Sequence, residues 1–369
     1  MLIYITSKKF PSAKADPYYV QSMAHAFAHI LKKDFLFLIR GTVPLSWSDM
    51  HVEGLRVPKR FRIVSYFFLL PFHIFKKGWY TKETTFLSYD PNLLTILIFW
   101  RKVFRFSYHV ASDWHQLFDN WQDAYVSKNS DYLITTSKRL QKLLIEKCHI
   151  SSNNIITAYG GVSLEPFLVA GEKTKESLKD ELSLPRDRFL VGYVGGFRAV
   201  GLEKGIDTMI RALPYLPSDM SMVFVGGIEK YIEEYKELAR TLEVSDRCIF
   251  IRKQPFANVV RYERALDVLV IPYPNKHHFR DYGFPMKVWE YMASGTPIVY
   301  SDLEIIDEVL SKHGTSFVAG DKHALADTVQ SVHSEYMNKS NHAMKNREIV
   351  LQYTWDMRAR HIVDFIKPL

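Results

Sequence analysis

Cysteine is scarce in this chain, and its scarcity excludes two kinds of site. Only Cys148 and Cys248 occur in 369 residues, and they lie far apart. A disulfide framework needs several cysteines, and a structural zinc site needs Cys and His ligands at short spacings. The sequence therefore predicts neither, and it favours a reducing, cytoplasmic compartment.

Long apolar runs are also lacking. The longest candidate, residues 63–75, is interrupted by Ser65, Pro71 and His73, whereas a helix needs about 20 apolar residues to span a bilayer. The chain opens on a buried-strand pattern over residues 2–6, with no basic segment followed by an apolar stretch. We therefore expect neither a membrane-spanning helix nor a secretory signal.

Acidic residues are scarce in the first half only. Residues 1–165 hold 21 Lys and Arg against 12 Asp and Glu, so the whole excess of +8 lies there. A one-sided basic field favours anionic partners, such as a membrane surface or a phosphate-bearing acceptor. The alternative to an anionic partner is that these basic residues only keep the protein soluble. Nucleic acid is not an expected partner, because no nucleic-acid-binding motif accompanies the charge.

Short β-rich apolar runs alternate with helical patterns along the chain. This alternation is typical of parallel sheets covered by helices on both faces, and 369 residues favour two domains. The predicted strands are residues 2–6, 35–39, 85–87, 105–109, 132–135, 155–157, 189–194, 222–225, 248–251, 268–271 and 297–299. The predicted helices are residues 19–31, 92–102, 115–126, 138–147, 205–213, 231–242, 257–265, 285–294 and 322–335. The polar stretch 169–188 separates two Rossmann-like domains, which we expect over residues 1–168 and 185–350.

A glycine-rich loop follows the predicted strand 189–194. A strand that ends in Gly195 and Gly196 lets a phosphate group approach the backbone closely. Arg198 and Lys204 follow on the same loop, and two cations suit a diphosphate whose negative charge grows as it leaves. Glycine pairs and basic residues are common at strand ends, so a purely structural role stays open.

A second glycine loop runs into the predicted helix 285–294. Pro285 stands near its first turn, where proline is tolerated, and the helix start offers free N–H groups to a phosphate or hydroxyl. Glu290 is placed to accept hydrogen bonds from a ribose diol. The alternative is a solvated glutamate, but the apolar neighbours predict a largely buried helix; they are Met286, Val288, Trp289 and Met292.

The chain resembles the retaining family 4 glycosyltransferases over essentially its whole length. The matching segments are Tyr159-Gly160-Gly161-Val162 with Phe167, the Gly-Gly…Lys-Gly loop, residues 265–272, and Glu290-Tyr291-Met292-Ala293-Ser294-Gly295-Thr296-Pro297. The resemblance implies an α/β GT-B fold, in which two Rossmann-like domains face each other across a cleft. It implies an N-terminal acceptor-binding domain, a C-terminal nucleotide-sugar-binding domain, and a C-terminal helix within residues 351–369 that crosses back to the first domain.

The resemblance also implies site residues. Arg198 and Lys204 correspond to the basic pair that binds the leaving diphosphate, and His109 to an active-site histidine facing the transferred sugar, although a lone histidine at a strand end also has a structural reading. Glu290 would bind the ribose, and Arg252 with Lys253 would frame the nucleobase. The donor-binding residues implied in full are Gly195, Gly196, Arg252, Lys253, Tyr282, Gly283, Phe284, Pro285, Met286, Lys287, Val288 and Glu290.

Two departures from the family pattern stand out. Tyr282 occupies the position of the first motif glutamate, eight residues before Glu290, and we expect Lys287 to replace part of the lost sugar contacts. The loop after the first strand lacks the usual glycine pair and carries lysines instead, which favour a charged acceptor. The acceptor-binding residues predicted on this basis are Lys8, Lys9 and Lys14.

Residues 59–80 combine aromatic and aliphatic side chains with basic clusters at both ends. This composition is typical of an interfacial anchor on anionic lipid, and a core helix with solvated lysines is the alternative. Together with the basic first half, it predicts a peripheral enzyme on the inner face of the cell membrane.

The expected reaction moves a hexose from a nucleotide-diphosphate sugar, GDP-mannose or a UDP-hexose, with retention of configuration. The expected acceptor is a glycan or lipid-linked molecule in cell-surface polysaccharide or glycolipid synthesis. No cofactor and no metal are expected, because no acidic cluster stands in the right context. The alternative, suggested by Tyr282, is a non-catalytic GT-B protein that binds a nucleotide sugar or a partner glycosyltransferase.

Overall fold

A computed structural model describes residues 1–10, 15–44, 47–336, 346 and 348–366. The first unit is Met1–Gly161 together with Trp355–Leu369, and the second is Val162–Thr354. The division thus falls earlier than the expected stretch 169–188, because residues of that stretch form two short helices that pack within the second unit.

The first unit is a parallel sheet flanked by helices. The described strands are β1 (Leu2–Ile5), β2 (Phe35–Arg40), β3 (Val52–Leu55), β4 (Thr85–Ser88), β5 (His109–Trp114), β6 (Tyr132–Thr135) and β7 (Ile155–Thr157). Its helices are α1 (Ala15–Leu31), α2 (Arg62–Lys77), α3 (Pro91–Phe104), α4 (Trp121–Asn129), α5 (Lys138–Cys148) and the C-terminal helix, named α14 (Trp355–Ile366). The strand order is β3-β2-β1-β4-β5-β6-β7, so the chain reverses its direction of winding between β1 and β4.

The second unit repeats this architecture. Its main sheet contains β8 (Phe189–Val194), β11 (Met220–Gly227), β12 (Cys248–Arg252), β13 (Val268–Ile271), β14 (Ile298–Ser301) and β15 (Thr315–Phe317), and β9 (Arg198–Ala199) pairs with β10 (Leu202–Glu203) in a small hairpin. Its main helices are α6 (Glu165–Gly171), α7 (Lys175–Glu181), α8 (Ile206–Ala212), α9 (Glu229–Thr241), α10 (Phe256–Ala265), α11 (Lys287–Ser294), α12 (Glu304–Leu310) and α13 (Lys322–Tyr336). The order β12-β11-β8-β13-β14-β15 places the change of direction between β8 and β13.

The apolar runs that predicted strands lie in the centres of the two sheets, where they are buried. Every residue of β1 and β13 is buried, as expected for parallel strands covered by helices on both faces. In such sheets, ligands bind beyond the carboxyl ends of the strands where the winding reverses. The ends of β1 and β4, and the ends of β8 and β13, are therefore the two places to search for a site.

One predicted strand is wrong. Residues 105–109 were expected as a strand, but α3 runs to Phe104, Arg105 ends it in the left-handed conformation (φ 54°), and β5 begins at His109. The buried strand contains Ala111, Ser112 and Asp113, which have little β-propensity. The helix expected over residues 115–126 begins instead at Trp121, where the Asn120 side chain caps it.

The helix α14 belongs to the first unit. It packs along α1, and the Trp355 ring meets the Tyr19 ring edge-on at 5.4 Å. Its buried face includes Ala359, Ile362 and Ile366. Residues from the two ends of the chain thus share one core. Among the described residues, no helix is both long enough and apolar enough to cross a membrane.

Candidate active site

Glycines line the carboxyl end of β8. Gly195 has a φ of 142°, and a Cβ on it would lie 2.4 Å from the Lys287 Nζ. A Cβ on Gly226, which has a φ of 113°, would lie 2.5 Å from the Gly195 carbonyl oxygen. The backbone after β8 and at the end of β11 therefore leaves no room for a Cβ at Gly195 or Gly226. This close packing explains why a glycine stands at position 195.

Lys287 lies buried against the end of β8. Its Nζ donates a hydrogen bond to the Val194 carbonyl at 3.2 Å and lies 4.7 Å from the centre of the Tyr193 ring. Burial lowers the pKa of Lys287, and the negative charges of Glu290 and Glu263 oppose this change. The sequence predicted a donor-site role for this lysine, and the structure places its ammonium group at the expected end of the sheet.

Lys204 lies at the same end of the sheet, beside the residues that follow β13. Its Nζ lies 5.6 Å from the centre of the Tyr273 ring, just after β13. Burial lowers its pKa to about 7, the charge of Lys287 adds to this, and Glu290 opposes it. The neighbouring Gly205 holds the backbone in place: its φ is 88°, and a Cβ there would lie 1.7 Å from the Pro272 carbonyl oxygen.

Two carboxyl groups complete this cluster. Burial raises the pKa of Glu290, while Lys287 and Lys204 oppose the rise. Glu263, on α10, is fully buried, and neither carboxyl oxygen has a hydrogen-bond partner among the described residues. Its pKa is raised well above the usual range by burial and then by Glu290. The sequence did not single out Glu263, because a charged residue on a helix normally faces water.

Arg198 has other partners. It lies on β9, where its Nη2 donates to the Glu234 carboxylate at 2.6 Å, and its guanidinium lies 4.3 Å from the centre of the Tyr231 ring. The adjacent Glu203 accepts hydrogen bonds from the backbone at the start of α8, at 2.5 Å from Gly205 N. Burial, together with Asp207, raises the pKa of Glu203 to about 7. Of the two predicted cations, Lys204 joins the Lys287–Glu290 cluster and Arg198 pairs with α9.

Most residues of the second glycine loop contact one another or the helix that follows the loop. Tyr282 is buried at the end of a short π-helix, residues 278–282, and the Phe284 ring stacks on Trp289 at 5.5 Å. The Val288 N–H donates to the Pro285 carbonyl at 3.0 Å, and the Val288 side chain is buried. The Val288 amide is therefore already hydrogen-bonded, and the predicted donor contact of this residue stays a prediction.

The other amides of this loop differ in whether they are hydrogen-bonded. Gly283 N donates to the His278 carbonyl at 2.7 Å. The backbone N–H groups of Met286 and Lys287 have no hydrogen-bond partner among the described residues. They stand at the start of α11, where unpaired N–H groups favour an anion.

Arg252 is the last residue of β12, and Lys253 follows it. The Arg252 side chain is 74% exposed and pairs with Glu229 at 2.6 Å. The Lys253 backbone N–H donates to the Gly227 carbonyl at 3.1 Å. Both residues thus stand beside the glycine-rich end of β11, at the same edge of the sheet as Gly195.

The reasoning that placed His109 at a ligand-binding strand end is wrong. His109 is the first residue of β5 and pairs with Thr85, the first residue of β4. Its Nδ1 lies 3.9 Å from Asp131 Oδ1. It therefore stands at the amino ends of the parallel strands, opposite to the edge where such sheets bind ligands.

His115 stands at the opposite, ligand-binding end of the same strand. It directly follows Trp114, and its Nε2 lies 3.4 Å from Asp113 Oδ2. Its ring stacks on Tyr89 at 5.5 Å and meets Tyr19 edge-on at 4.4 Å. His115 was not predicted because the strand boundary was misplaced; the available signal was Ser112 and Asp113, two polar residues shortly before it.

Basic side chains also gather near the winding reversal of the first sheet. Lys8 and Lys9 follow β1, half-buried and exposed respectively. Arg40, at the end of β2, has a buried Nη1 without a hydrogen-bond partner among the described residues. Lys14 lies outside the described residues. The sequence predicted the two described lysines and missed Arg40, which ends a buried strand.

The fold and the site define a class of protein. Two Rossmann-like units with parallel sheets, the second carrying a basic, glycine-lined site at its strand ends, are the GT-B fold. Residues 174–349 match the sequence model of the family described as glycosyl transferases group 1. The match covers most of the second unit, which therefore resembles the glycosyl transferases of this group.

Known proteins resemble the chain at low identity. It is 25% identical to a D-inositol 3-phosphate glycosyltransferase of Xylanimonas cellulosilytica over 64% of this chain and 56% of the relative. It is 23% identical to an O-antigen chain mannosyltransferase of Salmonella typhimurium over 53% and 48%. The chain thus spans about half the length of these relatives. The structure of Anabaena HepE in complex with UDP matches the fold with a TM-score of 0.76 at 14% identity, over 98% of each chain.

Proposed function

We propose that this chain is a retaining glycosyltransferase that moves a hexose from a nucleotide-diphosphate sugar to a glycan or lipid-linked acceptor. The observation that carries the proposal is the cluster of Lys204, Lys287 and Glu290 at the winding reversal of the second sheet. The match of residues 174–349 to the glycosyl transferases group 1 family supports the reaction class. A fold relative that holds UDP supports a nucleotide donor.

The two lysines suit the chemistry of a diphosphate leaving group. When the bond between the sugar C1 and the diphosphate oxygen breaks, negative charge grows on the diphosphate. Buried ammonium groups, already in place, stabilise such charge more strongly than water does. In this proposal Lys204 and Lys287 supply that stabilisation, and no metal ion or other cofactor is required.

The remaining donor contacts follow from the same edge of the sheet. The N–H groups of Met286 and Lys287 would bind the diphosphate or the sugar, and Glu290 would accept hydrogen bonds from the ribose. The exposed Arg252 and Lys253 would frame the base. We propose GDP-mannose or a UDP-hexose as donor; a mannosyltransferase among the relatives supports the first, and the UDP complex of HepE supports the second.

The first unit would bind the acceptor. His115 stands at the carboxyl end of β5, and we propose that it, rather than His109, faces the transferred sugar. Lys8, Lys9 and the unpartnered Nη1 of Arg40 favour an acceptor that carries negative charge. An O-antigen mannosyltransferase among the relatives supports a role in cell-surface polysaccharide or glycolipid synthesis.

A thermal-shift panel with UDP, GDP, ADP and dTDP tests the donor site. A nucleotide at 100 times its Kd should stabilise the chain by about 2.7 kcal/mol. Glu290→Ala should lose much of this stabilisation, whereas Glu146→Ala, an exposed glutamate of α5, should keep it. If no nucleotide stabilises the native chain, the proposed donor site is wrong.

The buried Tyr282 favours a second candidate function. It replaces the acidic residue that the family uses for sugar contacts, so the chain would bind a nucleotide sugar or a partner glycosyltransferase without catalysis. Reproducible sugar transfer or donor hydrolysis that is lost in Lys204→Ala would exclude this candidate. Nucleotide binding without any turnover would favour it.

We also propose that the first unit binds an anionic membrane surface through α2. Tyr66, Leu70 and Ile74 bury one face of this helix. The opposite face exposes three large aromatic side chains, Phe68 (66%), Phe72 (68%) and Phe75 (69%). On a helix, residues spaced by three or four lie side by side, so these rings form one exposed apolar stripe.

The residues around this stripe add exposed apolar surface and positive charge. The Phe67 ring packs against Phe99 of α3 at 5.3 Å, and α3 adds exposed Val103 and Phe104. Basic side chains flank the stripe at both helix ends, namely Lys59, Arg60, Arg62, Lys76 and Lys77. Apolar groups between cations are the combination that binds anionic lipid, as on the inner face of a cell membrane.

Vesicle sedimentation tests this surface. The native chain should bind vesicles of phosphatidylcholine with phosphatidylglycerol, and salt should weaken the binding. Replacing Phe68, Phe72 and Phe75 together by Ser should abolish it. Trp121→Ser, which removes an equally exposed aromatic ring from α4, should not. Equal binding to neutral and anionic vesicles at all salt concentrations would contradict the electrostatic part of the proposal.

A further inference from the structure

A buried ion pair joins the C-terminal helix to the end of β5. Arg358, on α14, donates through Nη2 to Asp113 Oδ1 at 2.8 Å and to Oδ2 at 3.0 Å. Its Nη1 donates to the Tyr159 carbonyl at 3.0 Å. The side chains of Arg358 and Asp113 are 1% and 2% exposed. Such a pair is costly to bury, and hydrophobic residues would fill the same space, so the ion pair has no evident packing purpose.

The Asp113 carboxylate has a further neighbour. Tyr19 donates its hydroxyl proton to Oδ2 at 2.8 Å, and Arg358 also donates to the Tyr19 hydroxyl oxygen. Oδ2 also lies 3.4 Å from His115 Nε2, a buried nitrogen that makes no hydrogen bond to any described residue, so the contact between them is electrostatic. Burial alone would raise the pKa of Asp113, but Arg358 and His115 hold it well below its usual range. Asp113 is therefore a fixed anion beside one nitrogen of the His115 ring.

We propose that Asp113 and Arg358 are positioning residues that fix the orientation and tautomer of His115. Arg358 and Tyr19 hold the carboxylate, its negative charge beside Nε2 favours the tautomer with the ring proton on that nitrogen, and Nδ1 is left to accept a hydrogen bond. A buried carboxylate orients a catalytic histidine in this way in other enzymes. Tyr89 and Tyr19 close the ring on two sides. The inference rests on the proposed role of His115.

The C-terminal helix is, by this inference, part of the acceptor-side site. Arg358 never touches substrate in this arrangement; it acts through Asp113. The consequence is a dependence that a stability role does not produce: the effect of removing Asp113 or Arg358 on turnover should vanish when His115 is absent.

A double-mutant cycle tests this dependence. Asp113→Asn and Arg358→Met should each lower kcat by about 10- to 100-fold, with little change in the donor KM, because the donor residues lie in the second unit. In a His115→Gln background, Asp113→Asn should change kcat less than about twofold. Arg360→Met, an exposed arginine of the same helix, should leave kcat unchanged. Equal losses in both backgrounds would overturn the proposal.

A spectroscopic readout decides the inference without turnover. Long-range proton–nitrogen NMR of the histidine rings, with the His115 signals assigned from His115→Gln, should show the proton on Nε2 in the native chain. Asp113→Asn should change this tautomer pattern, and it serves as the test even if Arg358→Met fails to fold. Identical His115 signals in the native chain and in Asp113→Asn would refute the positioning role. A native kcat in His115→Gln would instead refute the catalytic role of His115, and the inference with it, while nucleotide binding would persist.

Discussion

Replacing Lys204 by Met is expected to stabilise the nucleotide-free protein while abolishing donor binding. The ammonium group of Lys204 is held near Lys287 in a half-buried position, and these surroundings lower its pKa to about 7 from 10.5. Keeping a charge there is unfavourable unless an anion arrives. Methionine has similar length and no charge, so the folded chain loses this cost.

The size of the effect follows from the pKa values. At about 1.4 kcal/mol per tenfold change in proton affinity, a fall from 10.5 to about 7 sets an upper bound of about 5 kcal/mol. Solvent reaches part of the side chain, so we expect a gain of about 1–3 kcal/mol at pH 6. Between pH 7 and 10.5 the folded chain binds fewer protons at Lys204 than the unfolded chain does. The native protein therefore becomes more stable with rising pH, and the advantage of Lys204→Met falls by more than half at pH 9.

Urea unfolding at pH 6 and pH 9 measures both quantities, and the thermal-shift panel measures nucleotide binding. Lys276→Met, which removes an exposed lysine of the same unit, should change neither stability nor binding. A Lys204→Met variant less stable than the native chain at pH 6 would refute the reasoning. So would a stability gain that is the same at both pH values.

Three further changes test the architecture of the second unit by urea unfolding. Gly205→Ala should lower the free energy of unfolding by at least about 2 kcal/mol, because φ is 88° and the new Cβ would meet the Pro272 carbonyl; an unchanged midpoint would contradict this. Glu263→Gln should gain stability relative to the native chain from pH 5 to pH 8, because the raised pKa of Glu263 means that the native protein loses stability as pH rises; a constant difference would show that Glu263 does not titrate in this range. Asp267→Asn should cost about 2–4 kcal/mol, since its carboxylate accepts from Leu190 N and Lys179 at 2.9 Å; a loss below about 0.5 kcal/mol would show that the pair is dispensable.

Most of the fold was predictable because buried parallel strands leave a strong local signal. Residues 132–135, 189–194 and 268–271 were predicted with the observed bounds, since β-branched, aromatic and leucine side chains make up nearly all of each run. The bounds of β5 were not predicted because its buried centre is built of small and polar residues, whose burial depends on neighbouring strands. Whether a serine or aspartate is buried is decided by tertiary contacts, which a single sequence does not contain.

The position of a site residue could be predicted where it depends on the neighbouring residues in the sequence, and could not where it depends on a distant segment. Lys204, Lys287 and Glu290 follow glycine loops directly, so their place at the end of the sheet follows from their place in the sequence. Glu263 approaches them from another helix, and Arg198 is drawn to a partner on α9; both outcomes depend on contacts between distant segments. His109 was predicted because it ended a misplaced strand; the observed strand begins at His109, and the histidine after its carboxyl end is His115.

The discontinuity of the first unit has a consequence for how the protein is made. Residues 162–354 leave the ribosome after Gly161 and before Trp355, and α14 follows them. At about 5–20 residues per second, these roughly 190 residues take about 10–40 s to synthesise. During that interval the nascent first unit lacks the partner of Asp113 and the apolar face that covers α1. It must wait in an incomplete state, with exposed apolar surface of the kind that chaperones bind, while the second unit can fold as soon as its own residues are free.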